Sequence, residues 1–164
     1  MTHTPKVSVI LLNWNQYALT AACINSLKEC TYPNIEIVVV DQASHDNSVA
    51  LLQECYPEIT LIQNAKNTGF TGGNNQGMRA ATGEYFLLLN NDTEVNPSFL
   101  EPLVEALESD ATAAAASPLI RFFFTPSFIQ YAGGPESIDL IRGRNVWRGW
   151  RTQMPHSYSS VEKT

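Results

Sequence analysis

Asparagine and aspartate side chains follow three of the apolar segments of this sequence. Asn13 and Asn15 come after the first segment, Asp41 after the second, and Asn90 and Asp92 after the fourth. A carboxylate among amides suits a hard divalent ion that keeps several waters and bridges phosphates. These residue types also end strands and cap helices, so each position alone has a purely structural explanation. Their coincidence at three segment ends favours a binding site for a phosphorylated ligand.

A glycine-rich segment, residues 67–77, reads Asn-Thr-Gly-Phe-Thr-Gly-Gly-Asn-Asn-Gln-Gly. Glycines let a backbone approach a ligand closely, and the helix that follows offers its N-terminus to anions. The segment matches neither G-x-G-x-x-G nor the spacing of a P-loop, which argues against dinucleotide binding and ATP hydrolysis. A tight connection between a strand and a helix would explain the same glycines, so the segment alone decides nothing.

Other chemistry has little support in the sequence. There is no G-x-S-x-G motif, and the cysteines lack the C-x-x-C spacing of redox and zinc sites. The odd cysteine number favours reduced, buried thiols. The isolated histidines and these cysteines are His3, His45, His156, Cys23, Cys30 and Cys55.

Alternating strands and helices must position these groups. Apolar runs at residues 6–13, 35–40, 59–62 and 84–89 predict strands, and helical periodicity separates them, as with Leu19, Cys23 and Leu27. This order predicts an α/β fold with a mostly parallel sheet and helices on both faces. A spatial order 3-2-1-4 would bring the ends of strands one and four to the switch point where ligands bind.

Further strands are predicted beyond the fourth apolar run. Residues 111–117 are expected to form a fifth strand, and residues 120–124 and 129–131 to form short strands near an edge. We expect a first domain over residues 1–134. Residues 135–164 are expected to be poorly ordered or to begin an acceptor-binding region. Arginines and tryptophans are interleaved in this segment, at Arg142, Arg144, Trp147, Arg148, Trp150 and Arg151. Such a composition also suits contact with a membrane surface.

Composition limits the classes of protein that remain. The chain has 164 residues, of which 44% are hydrophobic and 16% charged, so it is long and apolar enough for one folded domain. Its formal net charge of −6 argues against a nucleic-acid partner. The sequence predicts no transmembrane segment, and its first six residues lack the pattern of a signal peptide. The expected location is cytoplasmic, with the inner face of the membrane as a further site.

Four motifs together resemble family 2 glycosyltransferases of the GT-A fold, and rhamnosyltransferase-like members in particular. They lie at residues 7–15, 32–41, 67–77 and 83–93, in the order and spacing of that family. The resemblance covers residues 6–134. It implies a GT-A, Rossmann-like domain that ends after the half that binds the nucleotide-sugar donor.

The resemblance also implies roles for matching residues. Asn13 and Asn15 would line the nucleoside pocket, and Asp41 would accept a hydrogen bond from the imide N–H of uracil or thymine, which adenine lacks. Three further residues would border the nucleotide, namely Asn67, Gly69 and Asn75.

Asn90 and Asp92 occupy the ends of the family's D-x-D motif, which holds the diphosphate and a divalent ion, Mg²⁺ or Mn²⁺. Because Asn90 replaces the first aspartate, only Asp92 supplies charge to the metal. The segment Asn74-Asn75 stands where many members have Arg-Asn, and Gln42 replaces a common Asp or Asn.

The resemblance implies a donor domain for inverting transfer from a UDP- or dTDP-sugar to a glycan or lipid-linked acceptor in polysaccharide biosynthesis. The catalytic base is unknown, because Glu136 and Asp139 follow the donor half too soon to match the family's base. We therefore expect low activity from this chain alone. Its oligomeric state stays open.

Two alternatives come from other classes. The first is a non-catalytic nucleotide-binding or interaction module, which would need no catalytic base. A sugar-nucleotide nucleotidyltransferase shares a related sheet, but it needs a glycine-rich, basic loop after the first strand, where this chain has residues 13–16, Asn-Trp-Asn-Gln.

Overall fold

The computed structural model describes residues 3–132 of the chain and shows a parallel sheet of four strands. The strands are β1 (Val7–Asn13), β2 (Ile35–Asp41), β3 (Thr60–Gln63) and β4 (Tyr85–Leu89). Each neighbouring pair is parallel, and the spatial order is β3-β2-β1-β4. The predicted α/β class and the order that places β1 beside β4 are therefore confirmed.

Helices cover both faces of this sheet. They are α1 (Tyr17–Lys28), α2 (Ser48–Cys55) and α3 (Gly69–Ala80). A fourth helix, α4 (Leu100–Ser109), comes later in the chain and lies almost wholly in the second of the two units described below. Val9 and Leu11 of β1 share a core cluster with residues of α1 and α2. Ile10, between them, faces α3, because successive side chains of a strand point to opposite faces. Among residues 3–132, no helix combines the length and apolarity needed to cross a bilayer.

The buried face of α1 differs by one position from the predicted one. Cys23 and Leu27 are buried as expected, but Leu19 is 44% exposed. Thr20 takes the inward position and is fully buried. It does so because its hydroxyl donates a hydrogen bond of 2.7 Å to Oδ1 of Asn13, which satisfies a polar group inside the protein.

Helix α3 lies directly against the sheet through two of its glycines. A Cβ atom on Gly77 would be 2.4 Å from Cγ2 of Ile10, and one on Gly73 would be 1.8 Å from Nε2 of Gln42. Real side-chain carbons do not approach so closely. These two glycines therefore serve helix–sheet packing, an explanation that the sequence analysis did not raise.

The amino ends of the strands are joined by the carboxylate of Glu36. It accepts hydrogen bonds from the hydroxyl of Ser8, from the backbone and side chain of Thr82 and from the backbone of Gly83, and it pairs with Nζ of Lys6 at 2.8 Å. Burial, the largest single influence, raises the pKa of Glu36. The hydrogen bonds from Lys6, Ser8 and Thr82 outweigh it and lower the pKa to about 2.

The chain divides into two compact units, Met1–Leu100 and Glu101–Thr164. Within the second, β5 (Ile120–Arg121) and β6 (Ile129–Tyr131) form a short antiparallel pair. The expected strand at residues 111–117 is wrong, since that segment has no regular structure. Its alanines have low strand propensity and little apolar surface to bury. The predicted boundary at residue 134 and the whole of residues 135–164 lie outside the described residues.

Replacing Glu36 with Gln should destabilise the protein at neutral pH, because the amide cannot accept as many strong hydrogen bonds. Since the folded pKa of about 2 lies below the ordinary 4.5, the carboxylate stabilises the fold above pH 4.5 and loses this effect as the pH falls towards 2. The expected loss at pH 7 is at most about 3 kcal/mol. Urea unfolding at pH 7 and pH 3 should show a smaller difference at pH 3, and an equal difference at both would contradict this assignment.

Replacing Gly77 with Ala should lower the free energy of unfolding, because the new methyl group would overlap Ile10. Overpacking typically costs about 1–3 kcal/mol, and the better helix propensity of alanine returns about 1 kcal/mol. Gly69→Asn is the control, since nothing lies within 4 Å of its Cβ position and asparagine tolerates the positive φ of 72°. Urea unfolding of both variants would show the difference, and a stabilised Gly77→Ala would refute close packing of α3.

Candidate donor-binding site

The predicted site residues meet at the carboxyl edge of the sheet. Asn13 ends β1 and lies beside Asp41, the last residue of β2, in the strand register. The segment with Asn90 and Asp92 follows β4, which pairs with β1 on its other side. The strand order reverses between β1 and β4, so this edge is the switch point of the sheet.

Asn13 and Asp41 lie beneath this edge rather than on its surface. Their exposed fractions are 0% and 1%. Nδ2 of Asn13 donates to Oδ2 of Asp41 at 2.8 Å. The backbone N–H of Ser44 donates to Oδ1 of Asp41 at 2.9 Å, and its hydroxyl donates to Oδ2 at 2.5 Å. A nucleobase could bond to Oδ2 only by displacing one of its two donors, Asn13 or the Ser44 hydroxyl, so the predicted contact between Asp41 and a nucleobase stays a prediction.

Two neighbouring loops are locked together above these buried groups. Asn15 is exposed, with a φ of 54°, and its Oδ1 accepts a hydrogen bond of 2.7 Å from the backbone N–H of His45. Its own N–H donates to Oγ of Ser44 at 2.9 Å. Ala43 has a φ of 61°, which costs a non-glycine residue about 1 kcal/mol and persists only where the surroundings enforce it. The loops after β1 and β2 are therefore shaped without a ligand.

The N-terminus of α3 borders the same edge. Oδ1 of Asn67 accepts a hydrogen bond of 2.8 Å from the N–H of Gly69, and both residues are exposed. The N-cap residue, Thr68, makes no side-chain capping bond. Helix N-termini of this kind favour anions through their N–H groups and dipole. Asn75 lies further along the helix and is half-buried.

Gln42 ties this helix start to β2, a role that the sequence analysis missed. It is 3% exposed, and its Oε1 accepts hydrogen bonds from N and Oγ1 of Thr68 at 2.8 and 3.0 Å and from Nδ2 of Asn64 at 3.2 Å. Its Nε2 donates to the carbonyl oxygen of Gly69 at 3.4 Å. The one available signal was its place directly after the strand-ending Asp41.

The turn at residues 90–92, called the acidic turn below, presents Asn90 and Asp92 to solvent. The N–H of Thr93 closes it on the carbonyl oxygen of Asn90 at 3.2 Å, and the thiol of Cys23 approaches the same oxygen at 3.8 Å. Burial, followed by the negative charges of Asp92 and Glu94, raises the pKa of Cys23 to about 12. That thiol therefore stays protonated and unreactive.

The metal-ligand atoms at the acidic turn fit a divalent ion that takes most of its ligands from outside the protein. Among residues 3–132, no group of three or more His, Cys, Asp or Glu side chains could hold a metal. Asp92 and Asn90 offer a carboxylate and an amide oxygen, which are hard ligands for Mg²⁺ or Mn²⁺. Phosphate oxygens and waters would have to complete the shell.

The catalytic base is not identified. Glu136 and Asp139, the two carboxylates considered for it, lie outside the described residues, as do the arginines and tryptophans of residues 142–151. The nucleoside, glycine-rich and acidic-turn residues named from the sequence all belong to the part of the chain that the structure describes. Side chains that sequence reasoning did not single out, Thr20, Ser44 and Asn91, connect them.

Comparisons with known proteins place this arrangement in a family. The family model described as Glycosyl transferase family 2 matches residues 8–161. The chain is 36% identical over 118 residues to YibD, an uncharacterized glycosyltransferase of Escherichia coli, covering 70% of this chain and 34% of that protein. It is 30% identical over 149 residues to the O-antigen biosynthesis protein RfbC of Myxococcus xanthus, covering 88% of this chain and 12% of that protein. For YibD and similar relatives, the chain spans about a third of the relative's length.

Solved structures agree with the sequence matches. A mannosyltransferase of Pyrobaculum calidifontis, in complex with GDP-Man and Mn²⁺, has a TM-score of 0.67 and 29% identity, covering 74% of this chain and 37% of that one. Staphylococcus aureus TarS, residues 1–349 with UDP-GlcNAc, has a TM-score of 0.56 and 25% identity, covering 63% and 31%. The predicted GT-A fold of a donor-binding half is thereby confirmed, and the chain belongs to glycosyl transferase family 2.

Proposed function

We propose that this chain is the donor-binding part of an inverting glycosyltransferase that uses a nucleotide-diphospho-sugar together with a divalent metal. The observation that carries the proposal is the meeting, at one edge of the sheet, of the α3 N-terminus, the acidic turn and the rigid loops after β1 and β2. The solved relatives with GDP-Man and Mn²⁺ or with UDP-GlcNAc support it.

The chemistry requires negative charge to be stabilised as the diphosphate leaves. The N–H groups at the start of α3 supply fixed positive potential for this purpose, and Gln42 and Asn67 hold that helix start in place. Asp92 and Asn90 would hold Mg²⁺ or Mn²⁺, which when bound neutralises charge on the diphosphate. These residues bind and orient the donor, and the acceptor proton is left to a base outside the described residues.

The nucleobase of the donor would lie over Ser44 and Asn15, with Asn13 and Asp41 beneath them. A carboxylate here favours a nucleobase with a ring N–H, such as uracil or thymine, over adenine, which lacks that donor. Guanine also carries a ring N–H, so the choice between guanine and the pyrimidines needs a second ground. We propose UDP or dTDP as the nucleotide on the ring N–H together with the resemblance of the motifs and the UDP-GlcNAc complex of TarS. Ser44 donates to both Asp41 oxygens, to Oδ1 through its N–H and to Oδ2 through its hydroxyl, so recognition runs either through direct contact with Asp41 or through the Ser44 hydroxyl.

The rest of the proposal concerns the whole protein. We propose that the whole protein transfers sugar to a glycan or lipid-linked acceptor in polysaccharide biosynthesis. Its proposed location is cytoplasmic, at the inner face of the membrane. A non-catalytic nucleotide-binding module is the second candidate, because no catalytic base is identified among the described residues. Release of UDP from a UDP-sugar by the chain would exclude a binding module, since such a module leaves the donor intact. Family membership argues against a nucleotidyltransferase.

Base selection can be measured by calorimetry with UDP, dTDP and ADP. We expect the two pyrimidine nucleotides to bind at least about tenfold more tightly than ADP, since a mismatched buried hydrogen-bonding group is costly. If Asp41 contacts the imide directly, Ser44→Ala frees Oδ2 and preserves this preference, whereas a preference lost in Ser44→Ala assigns recognition to the hydroxyl. Equal binding of ADP to the unmodified chain would contradict base reading by either group.

The metal role of Asp92 can be tested by titrating UDP with and without Mn²⁺. Because one carboxylate holds such an ion weakly, the metal and the nucleotide should bind cooperatively, with Mn²⁺ raising UDP affinity by about tenfold or more. Asp92→Ala should remove this increase. Glu94→Ala is the matched control, since Glu94 is an exposed acid two residues away and should leave the increase intact. A metal effect that survives Asp92→Ala would show that the ligand is misassigned.

A further inference from the structure

Thr20 is a fully buried hydroxyl in the middle of an apolar helix face, beside Cys23, Ile24 and Leu27. A valine would fill the same space there without needing a partner. A buried hydroxyl is retained at no cost only when its hydrogen bonds are satisfied. The partners of this one are therefore informative about its role.

The hydroxyl of Thr20 joins two residues that are far apart in the sequence. It donates to Oδ1 of Asn13 at 2.7 Å and accepts from Nδ2 of Asn91 at 3.0 Å. Asn91 Nδ2 also donates to Oε1 of Gln16 at 3.2 Å. Because Nδ2 of Asn13 donates to Asp41, a continuous line of hydrogen bonds runs from the end of β2 to the acidic turn. A threonine hydroxyl, with one donor and two acceptor positions, can make this bridge.

We propose that Thr20 and Asn91 are positioning residues that set the acidic turn against the nucleoside end of the site. The proposal rests on the donor-binding function argued above and adds residues to it. Asn91, the middle residue of the turn, is half-buried and points towards α1. Its two neighbours, Asn90 and Asp92, are exposed, because adjacent side chains in an extended or turning backbone diverge.

Within residues 90–92, the side chain of Asn91 makes the hydrogen bonds that orient the acidic turn, while Ser26 of α1 holds the chain further on through the N–H of Val95 at 3.1 Å. The closing hydrogen bond of the turn, from Thr93 to Asn90, lies within it and does not orient it against the sheet. The thiol of Cys23 approaches the Asn90 carbonyl at 3.8 Å, and thiols are weak donors. The two hydrogen bonds of Asn91 attach the turn to α1. The distance between Asp92 and the nucleoside end is thereby fixed before a donor binds, so less conformational entropy is lost on binding.

Hydrogen exchange on the unliganded 164-residue chain tests the link without any nucleotide. Thr20→Val keeps the shape of the side chain but removes the hydroxyl, and Thr20→Ser keeps the hydroxyl. We expect the Thr93 amide to exchange at least about fivefold faster in Thr20→Val and at the original rate in Thr20→Ser. The Gly69 amide, bonded to Asn67 at the start of α3, should be unchanged in both. Unchanged exchange at Thr93 in folded Thr20→Val overturns the proposal.

Asn91→Ala gives a second test from the solvent side, should Thr20→Val not fold. It cuts the line at the acidic turn and leaves the bond between Thr20 and Asn13 in place. We expect it to remove most of the increase in UDP affinity caused by Mn²⁺ while the metal-free affinity stays within about twofold. Asn96→Ala is the matched control, because Asn96 bonds only locally to Ser98 among the contacts given for it.

The binding and exchange measurements separate the two proposals. A full Mn²⁺ effect in Asn91→Ala would overturn the positioning role while leaving the proposed function intact. Failure of the unmodified chain to bind both UDP and dTDP would refute the proposed function, and exchange at Thr93 would still decide whether Thr20 holds the acidic turn.

Discussion

The carboxylate of Asp41 is the constraint on which the rest of this site depends. A buried charge is tolerated only when strong hydrogen bonds replace its hydration, and here Asn13 and Ser44 supply them. Satisfying Asp41 places Ser44 over the end of β1, where its hydroxyl accepts from the N–H of Asn15. The left-handed conformations of Asn15 and Ala43 follow from this arrangement. One buried charge thus shapes two loops that would otherwise be mobile in a parallel sheet.

Close packing of α3 supplies the second half of the site. Gly73 and Gly77 let the helix lie against β1 and β2, and Gln42 then reaches the helix start at Thr68 and Gly69. A larger residue at Gly73 would displace Gln42 itself. Packing and positioning are therefore coupled, since the glycines that admit the helix also admit the side chain that orients its N-terminus towards the carboxyl edge.

Much of this could be predicted from the sequence. Short runs that are apolar on both strand faces identified the four strands of the parallel sheet, and asparagine or aspartate at the ends of three of them marked its carboxyl edge. The predictions that rested on a local sequence pattern alone were less accurate. Leu19 fitted a four-residue periodicity but is exposed, and residues 111–117 formed no strand. A helix face is decided by what it packs against, and Thr20 displaced Leu19 because Asn13 offered it a hydrogen bond.

The sequence by itself determined the parallel sheet, its carboxyl edge and the family to which its motifs belong, because burial patterns and strand-end residues are local properties. Only the tertiary structure decided which polar residues are exposed at the carboxyl edge and which are buried. Asn13 and Asp41 look like ligand contacts in the sequence, yet they are covered, while Gln42, Ser44, Thr20 and Asn91 connect the parts of the site. The hydrogen bond between Thr20 and Asn91, for example, joins residues 71 positions apart. Hydrogen bonds of that kind leave no periodic signal, since they arise only when the strands and helices have packed.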